Sequence, residues 1–221
     1  MDIEKIYKIL EKELKEYTIP LAEQIDIKSK NSFYVLIGTM LSARTKDQIT
    51  AKVCDNLFKE IKNTDDLIKI KIEKLEQLLY PVGFYKTKAK NLKLLAKKLK
   101  EDFNNKVPRT IEELITLPGV GRKTANLVIA VSYKIPAICV DTHVHRIFNR
   151  IGYIETKNPL ETEMVLRNKL PKKFWIDTNY LFVILGQNIC FPRNPNCEKC
   201  PINKICLKKI KWIFYNFCEK I

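Results

Sequence analysis

Apolar residues recur at three- and four-residue spacings along almost the whole chain, and that period commits it to helices before anything else is read. Ile3, Ile6, Leu10 and Leu14 form one such stripe, with lysines and glutamates between them, so a helix is expected from Ile3 to about Tyr17. Leu92, Leu95, Leu99 and Phe103 repeat the pattern within 86–103, and Trp175 to Ile189 reads as a mostly apolar, buried helix. Thr45 with Gln48 predicts a capping box opening a helix towards Ile61, and Thr110 with Glu113 predicts another opening a helix that ends near Leu117. Asn158 before Pro159 marks a further start. The best strand candidate, Ile135 to Val140, is short and lies between two helices, so it reads as an extended connection. The expected fold class is all-α.

With 221 residues and 46% hydrophobic content, the chain can bury one good core or two small ones, which excludes a disordered chain. No run approaches the roughly 20 apolar residues that span a bilayer, and MDIEKIYK lacks the basic and apolar segments of a secretory leader. A cytoplasmic protein without a membrane partner is the expectation. There are 40 Lys and Arg against 25 Asp and Glu, a net charge of +15, which draws phosphate polyanions to the surface. Nucleic acid is the natural partner, although a lysine-rich solvated surface would carry the same charge.

The most informative stretch is LITLPGVGRKTANLVI, residues 114–129, where one helix ends, turns through Gly119-Val120-Gly121 and restarts at once. Glycines there allow positive φ and leave no Cβ in the way, so backbone N–H groups at the start of the second helix can approach a phosphate. A tight helical turn with a glycine cap would look the same locally. Lys123 stands in the first turn of the second helix, where the helix dipole and neighbouring Arg122 both disfavour its ammonium form. A nucleophilic amine needs such help; a lysine that merely binds a phosphate does not.

In CVDTHVHRIFNR, residues 139–150, Asp141 directly precedes a helix that closes at Gly152. Asp141 is a natural N-cap, and a carboxylate held still by capping can also face a sugar carbon that becomes oxocarbenium-like. His143 and His145, the only histidines, read as polar helix-start and surface residues. Four of the seven cysteines crowd into QNICFPRNPNCEKCPINKIC: Cys190, Cys197, Cys200 and Cys206 follow a C-x6-C-x2-C-x5-C spacing. A zinc site usually pairs two short Cys motifs across a longer gap, and only Cys197 and Cys200 form such a pair, so the spacing favours an iron-sulfur cluster over zinc.

Taken together, LPGVGRKTAN, VDTHVHR and the four-cysteine loop resemble, in this order, the signature of the endonuclease III family of DNA glycosylase/lyases. The resemblance covers nearly the whole chain. It implies a six-helix barrel with a helix-hairpin-helix motif over residues 22–133, and a discontinuous cluster domain from 1–21 and 134–221. It implies that Lys123 attacks the sugar C1′ and forms a Schiff base, that Asp141 assists deprotonation and stabilises positive charge, and that the four cysteines ligate a [4Fe-4S] cluster. The implied partner is duplex DNA holding an oxidised pyrimidine or an abasic site, acted on by a monomer, with the damaged base rotated out of the stack.

Leu41-Ser42-Ala43-Arg44 and Val82-Gly83-Phe84-Tyr85 resemble the family's intercalating loops, with Arg44 and Phe84 at the tips. The resemblance departs at Arg44, where many bacterial relatives carry Gln, which bears on the opposite base. Apart from the resemblance, Arg44 reads as a helix-end charge and Phe84 as a core aromatic. The aromatic tail after Cys206, with Trp212, Phe214, Tyr215 and Phe217, serves no reaction that the motifs suggest. Three rivals share parts of this pattern. A monofunctional adenine or thymine mismatch glycosylase would not need Lys123, a non-catalytic hairpin protein would not need Lys123 and Asp141 together, and an electron carrier would not need the hairpin.

Overall fold

The computed structural model describes residues 2–210; the aromatic tail from Trp212 to Phe217 lies outside the described residues. Among the described residues the fold is all-α, with twelve α-helices, one 3-10 turn and no strand. In chain order the helices are α1 (Ile3–Glu13), α2 (Leu21–Ser29), α3 (Ser32–Ser42), α4 (Asp47–Glu60), α5 (Thr64–Lys69) and α6 (Ile72–Leu79). They continue with α7 (Tyr85–Phe103), α8 (Ile111–Leu114), α9 (Arg122–Tyr133), α10 (Thr142–Ile151), α11 (Pro159–Lys169) and α12 (Trp175–Asn188). None is long and apolar enough to cross a membrane.

The chain divides into two compact units, Pro20–Ile135 and the chain on either side of it. In the first, α3 is the central element, packed by α2, α4, α7 and α9. Its sequence explains why: Phe33, Val35, Leu36, Ile37, Met40 and Leu41 are all buried, an apolar surface all round the helix that only a central position can satisfy. In the second unit, the apolar stripe of α1 meets α12, and Tyr7 stacks on Phe174 with ring centroids 4.2 Å apart while donating or accepting a 2.6 Å hydrogen bond with Thr178. Phe148 of α10 and Phe182 of α12 close the same core.

Several element ends differ from the sequence-based expectation. α1 stops at Glu13 rather than near Tyr17, and α8 stops at Leu114, three residues before Leu117. The Thr45–Gln48 capping box does not form: α4 begins at Asp47 behind Lys46, which has no side-chain cap bond. The Thr45 hydroxyl is used elsewhere, accepting the Gly83 N–H at 3.1 Å. The other box is half as expected, with Glu113 N–H donating to Thr110 at 3.3 Å and the Thr110 hydroxyl donating to the Glu113 carboxylate at 2.6 Å. A full capping box appears instead at Asn63 and Asp66. Asn158 caps α11 ahead of Pro159, and 135–140 is an extended connection.

Candidate functional site

The hairpin is built by burial on both sides of its turn. Leu114, Leu117, Val120, Ala125 and Val128 are all buried, so α8 and α9 are held together by their facing apolar residues, with Ala125 supplying the close approach. The two glycines do different work. Gly119 adopts φ +79, and a Cβ on it would lie 2.8 Å from the Asn91 amide and 2.9 Å from the Met40 methyl. Gly121 has φ −93, and a Cβ there would meet nothing within 4 Å. The expectation of a positive φ therefore holds at Gly119 and fails at Gly121, whose backbone is ordinary extended chain that any residue can adopt.

Gly121 is the N-cap of α9, is exposed, and has no side chain to cap or cover the first N–H groups of the helix. Lys123 follows in the first turn and is exposed. Val120, between the two glycines, is buried, so its side chain belongs to the core.

Arg44 and Phe84 also lie in the first unit, each at a left-handed position, φ 55 and φ 57. Phe84 is 62% exposed, which overturns its reading as a core aromatic. It is the N-cap residue of α7 and makes no side-chain cap bond there. The Arg44 guanidinium stands 5.6 Å from the Phe84 ring centroid, a cation-π distance. The structure thus brings the tips of the two loops together, and Tyr80, also exposed, adds a second ring beside Tyr85.

In the second unit, Asp141 caps α10: its Oδ1 accepts the His143 N–H at 2.8 Å and the Val144 N–H at 2.9 Å. Gly152 ends that helix at φ 78, as its position suggested. His145 is a correction, because it is buried rather than on the surface. Its Nδ1 pairs with the Thr162 hydroxyl at 2.7 Å, within a network that includes Asn149 and Thr156, and burial lowers its pKa. Asn149, one turn on in the same helix, and two threonines more distant in the chain accommodate it, and no local pattern announces the threonines.

Cys190, Cys197, Cys200 and Cys206 line one cavity walled by Ile147, Ile151, Leu185, Ile189 and Ile202, and all four are free thiols. Burial pushes the Cys200 thiol up to about 11, and Cys190, Cys206 and Cys197 add to the shift. An apolar pocket disfavours thiolates unless a cationic centre compensates them, so four sulfurs gathered in one suit such a centre. Four cysteine sulfurs lining one apolar cavity at a C-x6-C-x2-C-x5-C spacing are a donor set that fits an iron-sulfur group. Arg150, fully buried, donates to the Cys190 sulfur at 3.3 Å and to the Phe191 and Pro192 carbonyls at 2.6 and 2.7 Å. Arg146 holds the Cys190 carbonyl at 2.7 Å. Sequence reasoning missed both arginines, which the helical period of α10 could have placed on its inner face.

Residues 37–172 match the family model for HhH-GPD superfamily base excision DNA repair proteins, and residues 190–206 match that for the iron-sulfur binding domain of endonuclease III. Endonuclease III of Thermotoga maritima is 44% identical over 179 residues, 81% of this chain and 84% of that protein. The chain belongs to the endonuclease III family. Solved structures agree: a non-covalent endonuclease III-DNA complex superposes with a TM-score of 0.82 at 33% identity, covering 94% of this chain and 96% of the other. A trapped endonuclease III-DNA covalent intermediate, described as an estranged-adenine complex, gives 0.78 at 34% identity, covering 94% and 97%. As an endonuclease III family member the chain is a DNA-binding glycosylase/lyase of base excision repair, and its cofactor is a [4Fe-4S] cluster.

Proposed function

We propose that this enzyme removes oxidised pyrimidines from duplex DNA as a monomer, with Lys123 as nucleophile and Asp141 as the carboxylate that assists it. In this reading the Lys123 Nζ adds to C1′ of the extruded nucleotide as the glycosidic bond breaks, and the base leaves with the bonding electrons and takes up a proton. Loss of a proton from nitrogen and opening of the sugar give a Schiff base. Removal of a C2′ proton then expels the 3′ phosphate by β-elimination, and water releases the enzyme. Asp141, pinned through one carboxylate oxygen, keeps the other outside the cap to stabilise the oxocarbenium-like sugar and to take protons.

The observation that carries the reading is Gly121. Neither its backbone angle nor its packing requires glycine, since a Cβ would sit in open space. What glycine provides there is unobstructed approach from outside to the start of α9, where helix N–H groups would hold a phosphate beside the exposed lysine of the same turn. The covalent intermediate trapped on the related endonuclease III supports an amine route, and its estranged adenine supports loops that enter the duplex. Cys190, Cys197, Cys200 and Cys206 would hold the cluster, whose role here is to shape the loop that carries Arg193, Lys199 and Lys204.

Borohydride reduction during turnover on duplex DNA with an oxidised pyrimidine tests this. A covalent protein-DNA adduct is expected, absent from Lys123→Ala and formed more slowly by Asp141→Asn, which keeps a capping oxygen. An adduct of parental yield from Lys123→Ala would show that another amine is the nucleophile.

A further inference from the structure

Helix α3 ends abruptly. Ala43 at its C-cap has φ −56 and ψ 120 and Arg44 after it is left-handed at φ 55, a turn closed by the Thr45 N–H on Ser42 O at 3.0 Å that does not engage Leu41 O or Ala43 O. Those carbonyls are gathered by a side chain from α7 instead. The Lys88 ammonium donates to Leu41 O at 2.8 Å, to Ala43 O at 2.6 Å and to the Thr45 hydroxyl at 3.4 Å, and Lys88 is buried. A cation at the negative end of a helix is electrostatically well placed.

The same residue also touches the second loop, because its backbone N–H donates to Phe84 O at 3.0 Å and so closes the first turn of α7. Thr45 completes the link by accepting the Gly83 N–H at 3.1 Å. The two loops are so close that a Cβ on Gly83 would stand 2.9 Å from Arg44 O. Lys88 and Thr45 therefore join the segments 41–45 and 82–85 into one body. Arg44 and Phe84, both in left-handed conformations, project from it as a pair.

We propose that Lys88 is a positioning residue for opposite-base readout and base extrusion: its ammonium locks the Arg44 and Phe84 loops into a single preformed wedge. This rests on the reading that those loops enter the duplex. Two short loops that moved independently would lose entropy on ordering each time they entered DNA, whereas a locked pair does not. Burial holds the Lys88 ammonium below the usual lysine range, yet three oxygen acceptors surround it, which is how a buried charge is kept as a structural strut.

The test uses the cluster-loaded enzyme and a duplex with one oxidised pyrimidine opposite either adenine or guanine, with a 2-aminopurine neighbour reporting unstacking. Arg44→Ala and Phe84→Ala first read the loops themselves. Lys88→Met then removes the ammonium at similar length, and Thr45→Val cuts the link between loops while leaving Lys88 its two carbonyls. Expected for Lys88→Met are about a tenfold slower single-turnover excision, a weaker 2-aminopurine rise, and a ratio between opposite bases that approaches one; Thr45→Val should move all three the same way by about threefold. Enzyme is saturating throughout, and only variants that keep the parental melting temperature are scored, so a purely structural loss would leave the opposite-base ratio unmoved. If Lys88→Met fails to fold, Thr45→Val decides alone. Parental behaviour of Arg44→Ala and Phe84→Ala would sink the loop reading and this inference together. Impairment of those two, with parental ratios and unstacking in Lys88→Met and Thr45→Val, would sink the role of Lys88 and leave the loops standing.

Discussion

Glu23 shows what a single half-buried carboxyl can do to pH dependence. Its carboxyl on α2 is pushed up to about 7, first by burial, with Asp47 and Asp26 raising it further and Lys134 opposing them. Its Oε2 is buried without a hydrogen-bond partner in the protein. A folded-state value above the unfolded one means that the folded chain binds the extra proton, so the contribution to stability is complete below about pH 4.5 and is lost as pH rises to about 7. A shift of this size corresponds to about 3 kcal/mol. Glu23→Gln, which cannot ionise, is expected to gain on the parent by about that amount between pH 4 and pH 8, as read from urea midpoints. An unchanged gap between variant and parent across that range would show that Glu23 ionises as readily folded as unfolded.

The helix ends carry the sharper contrasts at the scale of elements. Gly119→Ala forces a side chain onto a positive φ and into Asn91 and Met40, so a loss of about 2 kcal/mol or more is expected, visible as a lower melting temperature. Gly121→Ala meets open space and an ordinary backbone angle, so its melting temperature should match the parent while duplex affinity falls several-fold. A Gly121→Ala protein that bound DNA as the parent does would remove the case for a phosphate at that helix start. The comparison also marks what the sequence could disclose. Signals that act within one turn were legible: Asp141 capping α10, Gly152 ending it, Asn158 ahead of Pro159, the apolar stripe of α1 and the hairpin's buried leucines. Signals that depend on a distant partner were not. Thr45 has the right neighbour for a capping box, but Gly83, 38 residues away in the chain, takes its hydroxyl. Lys88 and Lys93 look like solvent residues on a basic helix, yet each reaches the carbonyl end of another helix, α3 for Lys88 and α5 for Lys93, which donates to Ile68 O at 2.6 Å and Ile70 O at 2.5 Å. His145 was misread for the same reason.

For the whole molecule, the net charge of +15 and the hairpin make separable contributions to DNA binding. Each Lys or Arg that pairs with a phosphate releases condensed counterions, so affinity falls steeply with salt, with a slope of about −0.9 per phosphate neutralised on B-form DNA. A neutral backbone N–H at the start of α9 releases none, however well it fits. Loss of the hairpin contact and loss of a cationic contact should therefore differ in kind as well as size. If the cluster loop serves as a basic surface, Arg193→Gln, an exposed position beside the cysteines, is expected to lower affinity and flatten the plot of log affinity against log salt by about one unit. Gly121→Ala is expected to shift the same line downward with its slope intact. The measurement needs only a duplex of fixed length and a titration of potassium chloride. An Arg193→Gln line parallel to the parent would remove that arginine from the phosphate contacts, and with it the reason for charging the loop that the cluster shapes.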